Sequence, residues 1–141
     1  MTSKQTVQER AIDTCIEMLD YAQVNVSNHK VGSAVVARDK ENNIGIFGGC
    51  NIELACAYGY HAEQVALTKA ISHGFTNIDS VYVTSTHEEQ LAAMCGLCRQ
   101  TFMYVNPNCM VYVINLDKSI KLKVKLIDTL NYPYIGGRFH K

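Results

Sequence analysis

Tryptophan is absent from the 141 residues, proline occurs only twice, and neither sign of charge is in excess. Lys and Arg number 13 against 13 Asp and Glu, so the formal net charge is zero. That balance argues against a protein whose affinity rests on phosphate contacts, leaving room only for a local basic patch, and against a membrane-surface role. A polynucleotide channel also needs stacking aromatics, which the lack of Trp makes scarcer. No apolar run approaches the ~18 residues of a transmembrane helix. Lys4, Glu9, Arg10, Asp13, Glu17 and Asp20 interrupt the start of the chain, where a signal peptide would need an apolar stretch. A cytoplasmic location is therefore expected. In that compartment the six cysteines read as thiols or metal ligands before disulfides. What is present is 48% hydrophobic and 18% charged, a composition that buries a core. The length suits one domain over residues 1–141.

Thr6 and Glu9 have the spacing of a capping box. Behind them Val7, Ala11, Cys15, Met18, Leu19 and Ala22 recur at helical spacing, which predicts an amphipathic helix over 6–24. Strands are expected at 31–37 and 44–50, joined as a hairpin through the polar turn 38–43. The period is lost over 51–60, which reads as a loop. A buried helix follows at 61–73, ended by Gly74. Further strands are expected at 78–85, 109–116 and 120–126, with a helix at 95–105 stopped by Asn106-Pro107. In the last strand Lys121, Lys123 and Lys125 alternate with Leu122 and Val124, the pattern of an edge strand guarded by charge. Cys15 and Cys109 fall on apolar stripes and are assigned to the core. Strands interleaved with helices predict an α/β fold: a three-layer α/β/α sandwich on a mixed sheet of about five strands.

Two motifs carry chemistry together. His61-Ala62-Glu63 opens one predicted helix and Cys95-Gly96-Leu97-Cys98 opens the next. A catalytic zinc takes three protein ligands and keeps one position for water, and His61, Cys95 and Cys98 supply that set. Helix N-termini present free N–H groups and positive partial charge, which favour the thiolates zinc needs. Glu63 lies two positions beyond the histidine, off the ligand side, and is the candidate proton carrier. Either motif alone is weak, since a redox pair or a structural zinc half-site would look similar. The combination matches the H-x-E…P-C-x-x-C signature of zinc-dependent deaminases of cytosine and adenine, except that Met94 stands where the signature has proline. Methionine there is expected to loosen the approach to Cys95 while leaving the ligand geometry intact.

With these residues the chain resembles the small homo-oligomeric cytidine deaminases, from Val31-Gly32 through Cys98-Arg99-Gln100. Its most specific stretches are Gly49-Cys50-Asn51-Ile52-Glu53, His61-Ala62-Glu63 and Cys95-Gly96-Leu97-Cys98-Arg99-Gln100. The resemblance implies one Zn²⁺ per subunit on His61, Cys95 and Cys98, with Glu63 as the catalytic acid–base. It implies that Asn51 and Glu53 hold the ribose hydroxyls and that the Ala62 N–H contacts the pyrimidine carbonyl. It implies a nucleoside substrate, cytidine or deoxycytidine, hydrolysed to uridine or deoxyuridine with release of ammonia in pyrimidine salvage. No stable nucleic-acid or membrane partner is implied. A homotetramer is expected, with a homodimer as the alternative, and Phe139 is the candidate for reaching a neighbouring subunit's site. Cys56 is a weaker rival to His61 as ligand, because no glutamate follows it.

Three departures qualify the match. His29 replaces the phenylalanine that stacks on the pyrimidine in that family, and it remains able to stack while gaining charge at low pH. Together with the composition of 54–60, this leaves room for another cytosine nucleoside such as blasticidin S; a non-catalytic zinc protein is the reading from a different class. Third, the tetrameric branch has Cys-Ala-Glu-Arg where this chain has His61-Ala62-Glu63-Gln64. One neutral histidine and two thiolates balance Zn²⁺, whereas three thiolates leave a charge that an arginine offsets. Gln64→Arg is therefore expected to weaken both zinc affinity and turnover, checked by chelator competition and by steady-state rates.

Overall fold

The computed structural model describes residues 3–55, 58–90 and 92–135. The capping box forms as expected. Glu9 N–H donates to Thr6 Oγ1 and Thr6 N–H donates to Glu9 Oε2, both at 3.1 Å. Helix α1 covers Val7–Glu17 and then tightens into a 3-10 turn over Met18–Tyr21, so the regular helix is shorter than its apolar stripe.

Strands β1 (Val31–Arg38) and β2 (Ile44–Cys50) form the expected antiparallel hairpin. Asp39 Oδ1 closes its turn by accepting the N–H groups of Glu41 and Asn43. Strands β3 (Ile52–Ala55) and β4 (Tyr58–Tyr60) follow, then helix α2 (Ala62–Ser72), β5 (Asn77–Ser85), helix α3 (Gly96–Val105), β6 (Met110–Ile114) and β7 (Ile120–Lys125). The main sheet has the order β2-β1-β5-β6-β7. Only β5 and β6 pair in parallel, joined by α3 as the crossover; the other pairs are antiparallel. β7 is an edge strand, as its lysine pattern predicts.

Alternation along the strands sorts the core into two layers. On one face Val35, Val81, Val83, Val111 and Val113 pack with Ala66, Leu67 and Ala70 of α2 and Phe102 and Met103 of α3. On the other Ala34, Val36, Tyr82 and Ile114 pack with Ala11, Ile12 and Cys15 of α1. Helices thus cover both faces of a mixed five-stranded sheet, as the interleaving of strands and helices implied. Cys15 and Cys109 are fully buried, and burial pushes both thiols up, Cys109 to about 12.

Within the segment read as a loop at 51–60, Ile52–Ala55 and Tyr58–Tyr60 instead pair as a short two-stranded ribbon, β3 with β4. Its signal is hidden because each strand is only a few residues long and β3 is held by a distant segment. Gln23 N–H donates to Asn51 O at 3.0 Å, and Glu53 N–H donates to Gln23 O at 2.8 Å.

One glycine sets how near α2 comes to the sheet. A Cβ on Gly49 would lie 2.3 Å from Ala62 O and 2.5 Å from Ala66 N. Those are backbone atoms of the first turns of α2 and cannot rotate away. A Cβ on Gly96, by contrast, meets nothing within 4 Å. Gly49→Ala is expected to cost about 1–3 kcal/mol by overpacking, seen as a lowered urea midpoint, while Gly96→Ala leaves the midpoint nearly unchanged.

Candidate metal centre

Both motif helices begin where the spacing places them. His61 is the N-cap residue of α2, with extended backbone, and Glu63 sits in that helix's first turn. Cys95 is the N-cap residue of α3, also extended, and Cys98 lies one turn in. Strand β5 ends at Ser85, immediately before the loop that leads to α3. The two N-termini meet at that end of the sheet, beside the start of β1, because Val31 pairs with Ser85.

There His61 Nδ1 lies 3.3 Å from Cys95 Sγ and 3.3 Å from Cys98 Sγ. All three donor atoms fall within 4.8 Å of one another. Zinc bonds of about 2.3 Å to sulfur and about 2.0 Å to nitrogen, at a tetrahedral angle, put N and S roughly 3.5 Å apart. The donor set therefore fits zinc in kind, number and spacing. Its electrostatics also call for a cation. Burial pushes the Cys98 thiol up, and the nearby Glu63 carboxylate and Cys95 push it further the same way. Cys98 Sγ donates to Glu63 Oε2 at 3.6 Å. Burial likewise raises the Glu63 carboxyl, against the lowering effects of the helix N–H, His61 and Cys98.

A cavity of about 620 Å³ opens over this group. His29, Asn51, Glu53, His61, Ala62, Glu63 and Cys95 all line it, so the residues singled out along the sequence converge on one space. Cys98 lies beneath, buried. Phe139 and Cys56 fall outside the described residues.

Asn51 and Glu53 also organise the wall they stand in. Asn51 Oδ1 accepts the Val31 N–H at 2.9 Å, and its Nδ2 donates to His29 O at 2.7 Å. Glu53 Oε1 accepts from Val26 N–H, Ser27 N–H and Ser27 Oγ at 3.1–3.3 Å. The Ser27 N–H holds its carboxyl below the usual range.

Gln64 does more than leave out a charge. Its Oε1 accepts the His61 backbone N–H at 3.1 Å, which orients the residue carrying the imidazole. This bond gives Gln64→Arg a second reason to weaken the centre.

The turn before Cys95 corrects an expectation. Met94 does not loosen it. Its φ is +69°, a left-handed conformation closed to proline, whose ring fixes φ near −65°. Its N–H donates to Ala92 O at 2.8 Å, and its side chain is buried in the core under the cavity. The signal was available as a missing proline, but the reversed backbone it permits could be read only from the fold. Ser85 and His87 were not singled out either, although the alternation of β5 puts Ser85 on the same face as Val83. Met94→Pro, which restores the signature residue, is expected to distort the Cys95 turn and weaken zinc binding at least tenfold in chelator competition, because φ must reverse and a bond is lost.

Comparison with known proteins agrees with this geometry. The family described as the cytidine and deoxycytidylate deaminase zinc-binding region matches residues 5–114. A probable cytidine deaminase of Dictyostelium discoideum is 32% identical over 94 residues, covering 65% of this chain. The chain spans about 60% of the length of that curated relative. A cytidine deaminase of Burkholderia pseudomallei superposes with a TM-score of 0.76 at 27% identity, over 92% of this chain and 100% of that one. The cytidine deaminase of Mycobacterium tuberculosis shares the fold, with a TM-score of 0.70 at 18% identity over 92% of this chain and 98% of that one. With the family pattern spanning most of its length and the donor set of a zinc site at its centre, the chain belongs to the cytidine and deoxycytidylate deaminase zinc-binding family.

Proposed function

We propose that the protein is a zinc-dependent hydrolase that converts cytidine and deoxycytidine, with water, to uridine and deoxyuridine and ammonia. One observation carries the reading: a histidine and two cysteines with zinc spacing gather at the joint N-termini of two helices, at the base of a cavity that a buried glutamate lines. His61, Cys95 and Cys98 hold the ion. When bound, zinc acidifies a water and so supplies a nucleophile near neutral pH.

Glu63 moves the protons. It takes one from the attacking water and gives it to ring N3. It then takes the proton of the hydroxyl added at C4 and passes it to the exocyclic amine, so that the C4–N bond breaks, ammonia leaves and the C4 carbonyl of uracil forms. Burial raises the Glu63 carboxyl, the direction that favours its taking up a proton. Asn51 and Glu53 bind the ribose hydroxyls, the Ala62 N–H meets the base carbonyl, and His29 faces the base. In this reading the enzyme serves pyrimidine salvage in the cytoplasm as a homotetramer. The assembly is supported by exposed apolar side chains at the site: Val26 and Tyr60 line the cavity, and Leu97 lies between the cysteines.

Ultraviolet-monitored turnover of cytidine, deoxycytidine and blasticidin S, side by side, tests the proposal. Cytidine or deoxycytidine is expected to be preferred, with activity lost on chelation and restored by zinc. Preference for blasticidin S would replace the substrate, and no turnover of any of them would leave a zinc protein without this chemistry. Glu63→Gln is expected to keep its zinc and lose at least about 10²-fold in kcat. A variant of wild-type rate would remove Glu63 from the reaction.

A further inference from the structure

Away from the metal centre, two cavity-lining side chains, His29 and Ser85, form a cluster with His87, which stands behind them. Ser85, at the end of β5, lines the cavity. Its Oγ accepts the His87 backbone N–H at 2.9 Å and is also bonded to His29 Nε2. The His29 and His87 rings pack together, with centroids 4.3 Å apart and planes tilted by 39°. The backbone at His29 is fixed as well: its carbonyl accepts from Asn51 Nδ2, and its N–H donates to Ser27 Oγ at 3.1 Å.

The His29 imidazole is thus tied at one ring nitrogen, packed against a second ring and anchored on both sides of its Cα, while it lines the substrate space. Such immobilisation gives up side-chain entropy, which is useful where a flat surface must stand ready before a ligand arrives. The ligand class of the proposed reaction has a planar base, and aromatic rings offer such bases a stacking surface. We propose that Ser85 and His87 are positioning residues for substrate binding, holding the His29 imidazole as the wall against which the base rests. This rests on the nucleoside-deaminase reading and adds to it two residues outside the His61, Cys95 and Cys98 donor set.

The charges around His29 come from the segment after β5, with His87 and Glu89, and from β3, with Glu53. Burial lowers its pKa from the ordinary imidazole value of 6.5, His87 in the loop after β5 lowers it further, and Glu89 and Glu53 oppose this. His29 is therefore neutral at neutral pH, and a proton placed on it at lower pH brings positive charge beside His87.

The test uses the zinc-loaded enzyme and cytidine or deoxycytidine, whichever it turns over. Ser85→Ala and His87→Asn are each expected to raise KM by about three- to tenfold with kcat within about twofold, the partial loss of one base-stacking contact. Ser85→Thr, which keeps the hydroxyl, is expected to hold KM near wild type. In a His29→Phe background, where no ring nitrogen remains for Ser85 to hold, Ser85→Ala is expected to leave KM where His29→Phe sets it. By NMR, the His29 ring is expected to titrate at higher pH in His87→Asn than in wild type, because a like-charged neighbour is removed. The proposal is overturned if either substitution lowers kcat at unchanged KM, if Ser85→Ala raises KM equally in the His29→Phe background, or if the His29 midpoint does not move. A wild-type enzyme that deaminates neither nucleoside overturns the deaminase reading and this one together; an active enzyme with the wrong KM and kcat split overturns this one alone.

Discussion

Two helix N-termini directed at one point are the constraint from which the rest of the site follows. Each supplies unpaired N–H groups and positive partial charge, so the place where they meet favours anionic ligands such as thiolate and carboxylate. His61 and Glu63 enter from α2, Cys95 and Cys98 from α3. Neither helix could reach the point without the sheet. Gly49 lets the first turns of α2 lie directly on β2, and the parallel β5–β6 pair requires α3 to start at the end of β5. A ligand crevice beyond the carboxyl end of a parallel strand is the general outcome of such connections.

That placement explains why a carboxyl and a thiol can be buried side by side. An isolated buried charge is costly, and two groups of the same sign raise each other's pKa. Burial pushes both Glu63 and Cys98 up, and Glu63 pushes Cys98 further, while the hydrogen bond from Cys98 partly offsets the rise at Glu63. A divalent cation bound to His61, Cys95 and Cys98 removes the conflict in the direction that frees Glu63 to exchange protons. Chelation therefore does more than remove a reactant, since it returns an unbalanced cluster to the interior.

The chemistry was legible in the sequence because it depends on local spacing. Cys-x-x-Cys and His-x-Glu place their groups within one helical turn, and a helix start can be recognised from a single chain. Strands β1, β5 and β6 were legible as short apolar runs rich in valine, and β7 through its alternation. What could not be read depends on contacts between distant segments. The ribbon β3–β4 exists because Gln23 bonds to Asn51 and Glu53 from far along the chain. Met94 reads as a missing proline, but its left-handed backbone follows from how the turn packs under the cavity. His87 looks like an ordinary loop histidine until the fold lays it on His29.

Asn51 and Glu53 join these two kinds of information. Their place in the motif suggests contact with a ligand, yet the fold spends part of their bonding capacity on the segment that carries His29. Asn51 uses one amide hydrogen and one carbonyl lone pair on residues 29 and 31, which leaves one of each for the cavity. Glu53 takes its three bonds on Oε1, which leaves Oε2 for a ligand hydroxyl. The same side chains that would hold the sugar therefore fix the wall that would face the base. On the proposed reading, a shift in either would move both halves of the pocket, coupling affinity for sugar and base through two residues that hold no metal.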